Sequence, residues 1–523
     1  MSHFYLPLAI RYLILIVGAA AIVGAAGWLR FSDLDRDPFH ADEAATGGQA
    51  LAYRLESAGS GYEFDPKHRH GPLLTALAEP WARAKGENSW ELLKEETLRE
   101  VVAACGLLAA LGAIALGMGW FRALIAAGLA GTSPLLVYYS RIFIHEPMFL
   151  FFAIPALAGW IFILRGQRQW VGACLLGIGV GTMAATRETV VVSLFAWGIA
   201  GVIFAWRRFS GNPSHGGGRG RVRAIAAAAV ADYWRPLVVS AFLALLMIFW
   251  FYTDYGERPA GFLDFFATYF EYETGEGHGK PFAYFLHLLL WPKEILGYWW
   301  TEAGVFLLAL CVYLDRRKDT TAATGRFLLE AGVLHLLIFS LISYKTPWLA
   351  CLGWLHLCFA GGYGGVALLR CFVGIGRLGF AVGITVIVLW QGVQAKRAVF
   401  RLYGEGRNPY SYVSTSRDVV DLASWLNRLR SVLPDTEGEP ILVVGEEYWP
   451  LPWYLREAGP AGYWEAVPEG ASEVPVVILM PTVFDGGSAL LLETHTFIPR
   501  GLRNEYPMMV GIRNDLWEAY QAQ

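Results

Sequence analysis

The chain has 523 residues, 55% of them hydrophobic, with 21 Trp, 31 Phe and a mean hydropathy of +0.39. These values exceed what a soluble protein of this length carries, so the sequence predicts a polytopic membrane protein. A net charge of −3 is too small to indicate a nucleic-acid partner. All six Cys lie in or beside apolar segments, which argues against a disulfide framework or a thiolate metal site.

Eleven apolar segments approach the length of about 20 residues that a membrane span needs. They run roughly over residues 10–29, 100–118, 121–139, 147–164, 170–185, 189–206, 236–252, 295–314, 327–343, 348–369 and 378–394. We expect the first span to be retained, because no small-residue cleavage site precedes the acidic stretch after it.

Basic residues in four short loops predict the orientation. The clusters are Arg165 and Arg168; Arg207, Arg208, Arg219, Arg221 and Arg223; Arg316, Arg317 and Lys318; and Arg370 and Arg377. All four fall on one side if the N-terminus is cytoplasmic. The C-terminus and two long loops, about 30–99 and 253–294, then lie outside. The Gly-rich loop 209–223 is interpreted as a topology determinant rather than a nucleic-acid site.

From about residue 400 the composition becomes that of a soluble α/β domain. Residues 416–432 have helical periodicity, 440–447 and 474–481 resemble buried strands, and 511–521 resemble a closing helix. We therefore predict a transmembrane domain over 1–399 and an extracytoplasmic α/β domain over 400–523. The aromatic segment 446–464 suits either packing against a neighbouring element or binding of a sugar acceptor.

The stretch FHADEAATGGQA, residues 39–50, places two carboxylates directly after the first span. Asp42 stands at the start of a predicted surface helix, where an N-cap is one interpretation. Capping does not account for Glu43 beside it, or for the polar residues before a second helix that Pro72 begins. We therefore predict that Asp42 and Glu43 are catalytic. Neighbouring candidates for substrate binding are His40, His68 and His70.

Further polar residues occur at the predicted outer ends of later spans. They are Arg141, His145 and Glu146; Arg187 and Glu188; and Tyr344 and Lys345. Ionisable groups this close to hydrocarbon are costly unless paired or hydrated, so they are candidates for substrate binding. Arg141 and Lys345 suit a lipid-linked phosphate, although both side chains also suit snorkelling to the interface. Arg187 and Glu188 suit either a tight turn or the site.

Carboxylates at the outer face and cations at the span ends suggest one chemistry. A sugar carried on a polyprenyl phosphate would pass to an acceptor whose hydroxyl is deprotonated by a carboxylate base. Two other classes remain open, a lipid-linked sugar flippase or transporter and a non-catalytic assembly partner. Transporters usually show internal repeats and polar groups near the membrane midplane, whereas the polar residues here lie at the span ends.

Several motifs, in order, resemble a known family. They are HADEA, HGPLL, YYSRIFIHE, ATRET, YKTPWL and YWPLPWYLR, which occur between residues 39 and 457. The chain resembles membrane glycosyltransferases of the C-type fold, in particular the protein O-mannosyltransferase and aminoarabinose-transferase group. Its motifs are most similar to the family named after a flippase-activity-associated protein of archaeal N-glycosylation.

The resemblance implies that Asp42 matches the acidic residue taken as the catalytic base, with a lipid or protein as the sugar acceptor. Some members of the fold group use a divalent cation. The residues His40, His68, His70, His145 and Glu146 offer a nitrogen and oxygen ligand set for one. No helical pair of His supports such a site, so we expect no cofactor.

Overall fold

The computed structural model describes residues 8–57, 62–210, 219–271, 278–436, 438–504 and 506–523. Most of the Gly-rich basic loop, residues 211–218, lies outside them. The chain forms two compact units. The first comprises Met1–Ser32, Ser57–Trp81 and Arg99–Arg401, and the second comprises Asp33–Glu56, Ala82–Leu98 and Leu402–Gln523. Two pieces of the loop 30–99, which the sequence placed in the transmembrane domain 1–399, thus belong to the same unit as the C-terminal region.

The helices are introduced in chain order. They are α1 Leu8–Phe31, α2 Gln49–Glu56, α3 Leu73–Ala84, α4 Glu95–Leu111, α5 Trp120–Thr132, α6 Pro134–Tyr139, α7 His145–Arg165, α8 Gln169–Thr186, α9 Val190–Phe209, α10 Arg219–Tyr252, α11 Phe262–Glu271, α12 Tyr284–Leu289, α13 Ala303–Leu310, α14 Thr320–Leu341, α15 Cys351–Cys371, α16 Gly374–Phe400, α17 Leu422–Arg430, α18 Leu451–Leu455, α19 Phe484–Leu491 and α20 Asn514–Gln521. The strands are β1 Lys293–Ile295, β2 Tyr298–Trp300, β3 Ile441–Val444, β4 Ala461–Trp464, β5 Val476–Leu479, β6 His495–Arg503 and β7 Tyr506–Arg513.

The predicted class, a polytopic helical membrane protein with a C-terminal α/β region, is confirmed. Among the described residues, eight helical segments are long and apolar enough to cross a membrane, and they contain α4, α7, α8, α9, α10, α14, α15 and α16. Shorter apolar helices lie at Leu15–Phe31 and Ala303–Leu314. The sequence therefore located the apolar segments, but not all of them are single long helices.

Two of the eleven predicted spans differ in detail. The segment 121–139 breaks between α5 and α6, because Ser133 caps α6 by accepting a hydrogen bond from Leu136 N–H and Pro134 occupies the first helical position. The segment 295–314 begins with the hairpin β1–β2 rather than a helix. Its turn residues, Leu296 and Gly297, both have positive φ angles of 51° and 76°, which a continuous helix does not allow.

The core of the first unit lies between two groups of helices. α8 packs between α7 and α10, and α15 packs against α5, α13 and α14. α15 is the most enclosed of the long apolar segments, with 83% of its most apolar stretch inside the protein. The ends of α7, α8, α14 and α15 line a common pocket, and several of the polar residues described below are found there.

A buried carboxylate joins several of these helices. Glu302, directly before α13, is 1% exposed. Its Oε2 accepts hydrogen bonds from Ser133 Oγ (2.6 Å), Trp354 Nε1 (2.8 Å) and Gln391 Nε2 (3.2 Å). Because these donors belong to the α5–α6 junction, α15 and α16, one side chain holds three parts of the membrane unit in register. Buried hydrogen-bond networks of this kind favour a single arrangement of the core.

Glu302→Gln is expected to destabilise the protein by about 1–3 kcal/mol. The amide group either turns its N–H₂ toward donors or leaves one of them without an acceptor, and an unsatisfied buried donor costs about that much. The measurement is thermal unfolding of the purified protein in detergent. Glu294→Gln, on the exposed face of β1, is the matched control and should leave the unfolding temperature unchanged. Equal unfolding temperatures for the two variants would show that Glu302 does not join the helices.

The C-terminal part of the second unit is built on a mixed sheet. Within the described residues it has five strands in the order β4-β3-β5-β7-β6, with β3 parallel to β4 and β5 and with β7 antiparallel to β5 and β6. Strands β3 and β5 and helices α17 and α20 lie where the sequence predicted them. The sequence analysis missed β4 and the hairpin of β6 and β7.

Both faces of this sheet are covered. Residues of α17 and α20 pack on one face around Ile441 and Val443 of β3, and α19 packs on the other around Leu442 and Val444. The alternation along β3 explains why its sequence is continuously apolar, since each side chain enters one of two cores.

Candidate functional site

The acidic segment after the first span is held in place within the second unit. The Phe39 N–H donates to the Tyr454 hydroxyl (2.6 Å), and the Thr415 hydroxyl donates to the Phe39 carbonyl (2.7 Å). His40 Nε2 lies 2.8 Å from the carbonyl oxygen of Tyr412. Three hydrogen bonds to the C-terminal region therefore fix the two residues that lead into Asp42.

The hydrogen bonds of His40 define its protonation. The Asp42 N–H donates to His40 Nδ1 (3.1 Å), so this nitrogen carries no proton. The proton lies on Nε2, which donates to the Tyr412 carbonyl. The distance of 3.8 Å between Nδ1 and the Asp42 carboxylate is therefore not an ion pair. Both ring nitrogens of this buried His therefore bond to backbone atoms, and the role of His40 in substrate binding stays a prediction.

Asp42 and Glu43 have different surroundings. Glu43 is fully buried, and its Oε2 accepts a hydrogen bond from the His40 N–H (2.8 Å). Asp42 precedes a π-helical turn, Glu43–Gly48, and within the described residues its side chain makes no capping bond to that turn. The Asp42 side chain is 45% exposed. Glu43 therefore makes the capping bond, and the Asp42 carboxylate is accessible to solvent. Asp42 lies directly before a π-helical turn, an irregularity that often occurs at functional sites.

Trp453 packs against both ends of this segment. Its ring lies 4.3 Å from that of Phe39, and a Cβ at Gly48 would come within 3.1 Å of the indole. The indole N–H donates to Glu95 Oε1 (2.9 Å), and the Arg456 guanidinium stacks 3.7 Å from the centre of the ring. This part of the aromatic segment 446–464 therefore packs against the acidic loop, which was one of the two interpretations that the sequence left open.

The other candidate residues lie in the first unit, and five of them form one cluster. Arg187 is ion-paired with Glu146 and lies 3.7 Å from the Glu188 carboxylate. His70 Nδ1 donates to Glu188 Oε2 (3.0 Å), and its ring meets the His145 ring edge to face at 5.1 Å. The motifs HGPLL, YYSRIFIHE and ATRET, far apart in sequence, thus meet at one place.

A glycine permits this arrangement. A Cβ at Gly71 would collide with the backbone carbonyl of Ala185, near the end of α8. Because Gly71 has no side chain, the loop approaches the helix end closely enough for His70 to reach Glu188. The glycine of the motif HGPLL is therefore required by a close backbone approach.

The charge of Glu188 is set by this cluster. Burial alone would raise the pKa of its carboxyl, but the hydrogen bond and charge of His70, together with Arg187, hold the pKa well below its ordinary value of 4.5. A group whose pKa is lowered by folding contributes stability above its unfolded value, and that contribution is lost as the pH falls toward the folded value. Glu188 is consequently ionised at neutral pH.

The unfolding temperature is therefore expected to fall as the pH drops below about 4.5, and Glu188→Gln should remove part of that decline. Thermal unfolding in detergent between pH 3 and pH 7 measures the effect. Glu271→Gln, at the exposed end of α11, is the control and should retain the wild-type pH profile. A Glu188→Gln profile parallel to that of the wild type would contradict the assignment.

Arg141 and Lys345, the predicted phosphate ligands, both bind backbone carbonyls. Arg141 Nη1 donates to Leu29 O (3.2 Å), Arg30 O (3.3 Å) and Ser32 O (2.7 Å) at the end of α1. Lys345 Nζ donates to Lys280 O (3.0 Å) and to Ile342 O. Arg141 thus caps a helix, which sequence alone does not reveal.

The remaining predicted residues lie near Lys345 or at the surface. Tyr344 lies on a short antiparallel bridge with Gly279, which adjoins the bond from Lys345 N–H to the His278 carbonyl. His68 is 61% exposed and bonds to Asp65 (2.9 Å). These two residues are outside the cluster of His70, His145, Glu146, Arg187 and Glu188.

The predicted ligand set does not suit a metal ion. Within the described residues, no group of three or more His, Cys, Asp or Glu side chains is placed to hold one. Both ring nitrogens of His40 are engaged in hydrogen bonds, so His40 has no lone pair to offer a metal. We therefore derive no step of the reaction through a metal.

Sequence reasoning missed a cavity beside the cluster. Glu146 and Arg187 line a pocket that is partly open to solvent, together with Thr189, His335, Trp348 and Phe149. His335 is an ionisable residue in α14, one of the helices long and apolar enough to cross a membrane, and such residues are functional candidates by default. That signal was available in the sequence and was not used.

Comparison with solved structures identifies the architecture. ArnT from Cupriavidus metallidurans in the apo state superposes with a TM-score of 0.57 at 15% identity, over 98% of this chain and 99% of ArnT. The same protein bound to undecaprenyl phosphate gives 0.55 at 15% identity, over 96% and 98% of the two chains. This chain has the C-type glycosyltransferase fold.

An archaeal structure also superposes on this chain. The oligosaccharyltransferase of Archaeoglobus fulgidus, in complex with zinc and sulfate, gives a TM-score of 0.50 at 13% identity, over 97% of this chain and 76% of that enzyme. No protein-family model matches the chain, and no curated protein matches it. At these identities the likeness establishes the fold, and the resemblance to the flippase-activity-associated family stays a prediction.

Proposed function

We propose that this protein transfers a sugar from a polyprenyl-phosphate donor to a lipid or protein acceptor, with Asp42 as the general base. The observation that carries the proposal is the setting of Asp42. Its side chain is 45% exposed, while the side chains of His40 and Glu43 are buried. Asp42 is therefore the carboxylate of this segment that an acceptor can reach. The shared fold supports the proposal, since ArnT binds undecaprenyl phosphate.

The reaction requires a general base and a lipid-linked sugar donor that is bound in the correct position. The Asp42 carboxylate takes the proton of an acceptor hydroxyl as the oxygen attacks the anomeric carbon of the sugar. The bond from that carbon to the phosphate oxygen breaks, and the polyprenyl phosphate leaves with the electron pair. Lys345 is proposed to contact the leaving phosphate, because an ammonium has three N–H donors and the two carbonyl bonds use two of them.

The proposed reaction takes place at the outer face of the membrane. The basic loops support a cytoplasmic N-terminus and an extracytoplasmic C-terminal region. A reporter fused after Gln523 is therefore expected to be active outside the cytoplasm, and one inserted near Gly217 is expected to be active inside. The opposite pair of results would place Asp42 on the cytoplasmic side.

Cells that lack the protein provide the direct test of the function. They should accumulate a polyprenyl-phosphate-linked sugar, detected by mass spectrometry of lipid extracts, and expression of the wild-type chain should remove it. Purified wild-type protein should also convert the accumulated lipid to free polyprenyl phosphate when acceptor-containing membranes are added. If the deletion leaves the lipid-linked sugars unchanged, the protein is not the transferase.

A further inference from the structure

The loop between α10 and α12 contains a short helix, α11, with an exposed apolar side. Leu263, Phe266 and Phe270 lie along this side and are exposed by 67%, 45% and 89%. Because they recur at spacings of three and four residues, they form one continuous strip along the helix. Contiguous apolar patches on a protein surface mark contacts with another protein or with a membrane.

α11 lies across the end of α10, one of the helices long and apolar enough to cross the membrane. Gly261, directly before α11, is so close to the Tyr252 carbonyl that a Cβ would collide with it. The Phe265 ring lies 5.5 Å from the Tyr252 ring, and Thr268 is hydrogen-bonded to the Tyr252 side chain. Positions about 10 Å apart along the chain thus contact the last residue of α10, so α11 does not run away from the membrane along the axis of that helix.

The other end of α11 is held at the same level. The Tyr269 hydroxyl donates to the carbonyl oxygen of Glu188, in the turn between α8 and α9 (3.4 Å). Since α9 crosses back between them, α8 and α10 end on the same side of the membrane. α11 is therefore attached to the ends of two apolar helices, at the level where they leave the bilayer.

The contacts of Phe262 show which side of α11 faces the hydrocarbon. Its ring lies 5.7 Å from that of Phe249. Phe249 precedes Tyr252 by about one turn of α10, which is the direction of the membrane centre. The rings of Phe262 and Phe266 are 5.5 Å apart. The side of α11 that carries these two rings is therefore directed toward the bilayer.

The acidic residues of α11 lie on the opposite side. At about 100° per residue, Asp264 and Glu271 are on the far side of the helix from Phe262 and Phe266. The Asp264 carboxylate lies 3.9 Å from the Arg258 guanidinium, and Glu271 is exposed. An apolar side toward hydrocarbon and a charged side toward water are the properties of a helix that lies in the membrane interface.

The surface of α10 indicates that lipid borders the exposed strip of α11. Only 22% of the most apolar stretch of α10 lies inside the protein, and Phe242 and Trp250 are among its exposed residues. The contact of Phe249 with Phe262 continues this surface onto α11. Trp250 and Tyr255, whose rings are 5.7 Å apart, lie at the junction, and exposed Trp and Tyr are typical of the headgroup level.

The charge of this segment excludes electrostatic attraction to anionic lipids as the basis of the contact. Residues 259–279 contain four carboxylates and no Lys or Arg. Interfacial helices that bind anionic headgroups carry basic residues on their polar side. A contact between α11 and the membrane therefore depends on the burial of its apolar side chains.

We propose that α11 is an interfacial membrane anchor. It lies among the lipid headgroups at the end of α10 and inserts Leu263, Phe266 and Phe270 among the acyl chains, by apolar burial and not by charge. The lipid then helps to hold Tyr269 against the Glu188 turn. The proposal concerns the contact with the membrane and does not depend on sugar transfer.

The test uses the full-length protein in phosphatidylcholine nanodiscs with a fluorescent label on a single introduced cysteine. The native cysteines that a label can reach are first replaced by Ser; they are Cys174, Cys311 and Cys371. A label at Phe270→Cys should be quenched by nitroxide-labelled lipid as strongly as one at Phe242→Cys on α10, and iodide in the water should not reach it. Glu271→Cys, the next residue of the same helix, is the matched control and should be quenched by iodide.

The outcomes separate the possible occupants of the strip. Quenching of the label at Phe270→Cys by iodide would show that the strip faces water. Protection from both quenchers would show that another protein or a second copy of this chain covers it. Addition of phosphatidylglycerol or of salt should leave the lipid quenching unchanged, and quenching that requires the anionic lipid would show a contact based on charge. Each of these three results would overturn the proposal.

A double variant tests the apolar strip itself. Leu263→Ser/Phe266→Ser should reduce lipid quenching of the label at Phe270→Cys and give iodide access to it. The matched control is Val386→Ser/Leu389→Ser, at exposed positions of α16, which should leave both kinds of quenching as in the parent protein. Unchanged quenching in the α11 double variant would also overturn the proposal, because the strip would then not hold the helix in the membrane.

Discussion

Asp42→Asn is expected to lower the rate of sugar transfer by about 10²–10⁴-fold while the protein still folds. Asparagine keeps the shape of the side chain but cannot accept the proton of the acceptor hydroxyl. The hydrogen bond to His40 Nδ1 should persist, because the Asp42 backbone N–H donates it. Single-turnover transfer with saturating lipid-linked donor measures the loss, and thermal unfolding checks the fold.

Glu43→Gln provides the internal control. A smaller loss of activity is expected for this neighbour, because adjacent residues of a helix point about 100° apart, and the structure adds a different kind of effect. Glu43 is fully buried and accepts the His40 N–H, so its replacement should lower the unfolding temperature more than Asp42→Asn does. The two variants thus separate catalysis from support of the loop. Wild-type transfer by the purified Asp42→Asn protein would refute the base assignment.

The sequence predicted features that depend on local pattern. Apolar runs of about 20 residues located the helices of the membrane unit, because hydropathy is a property of each segment alone. The continuously apolar β3 and β5 were found for the same reason. The break at Ser133 and Pro134 also had a local signal, a capping residue followed by proline. It was not predicted, because the surrounding segment is apolar enough to be interpreted as one continuous span.

The candidate site depended on partners distant in sequence, and there the prediction was incomplete. Arg141 and Lys345 were selected for their charge, but the carbonyls they bind lie at a helix end and in a loop that no residue pattern associates with them. His70 and Glu188 were both selected, yet their contact depends on the close approach of Gly71 to α8. The grouping of Asp42 with the C-terminal region likewise arises from Tyr412, Thr415 and Tyr454, whose hydrogen-bonding roles have no signature in the sequence.

Arg187→Met is expected to destabilise the protein by about 3–5 kcal/mol. The substitution leaves the Glu146 carboxylate buried without its cation, and an uncompensated buried charge is among the largest single penalties in a folded protein. Glu188 should be affected less, because His70 still donates to it. Chemical or thermal unfolding in detergent measures the loss. Arg316→Met, at an exposed position, is the matched control and should change stability by no more than about 0.5 kcal/mol.

The double variant Arg187→Met/Glu146→Leu distinguishes a buried pair from two independent residues. Replacing both charges with apolar side chains of similar size is often neutral for stability, so the double variant should recover most of what Arg187→Met loses. If the two substitutions destabilise additively, the ion pair does not hold α7 to the end of α8.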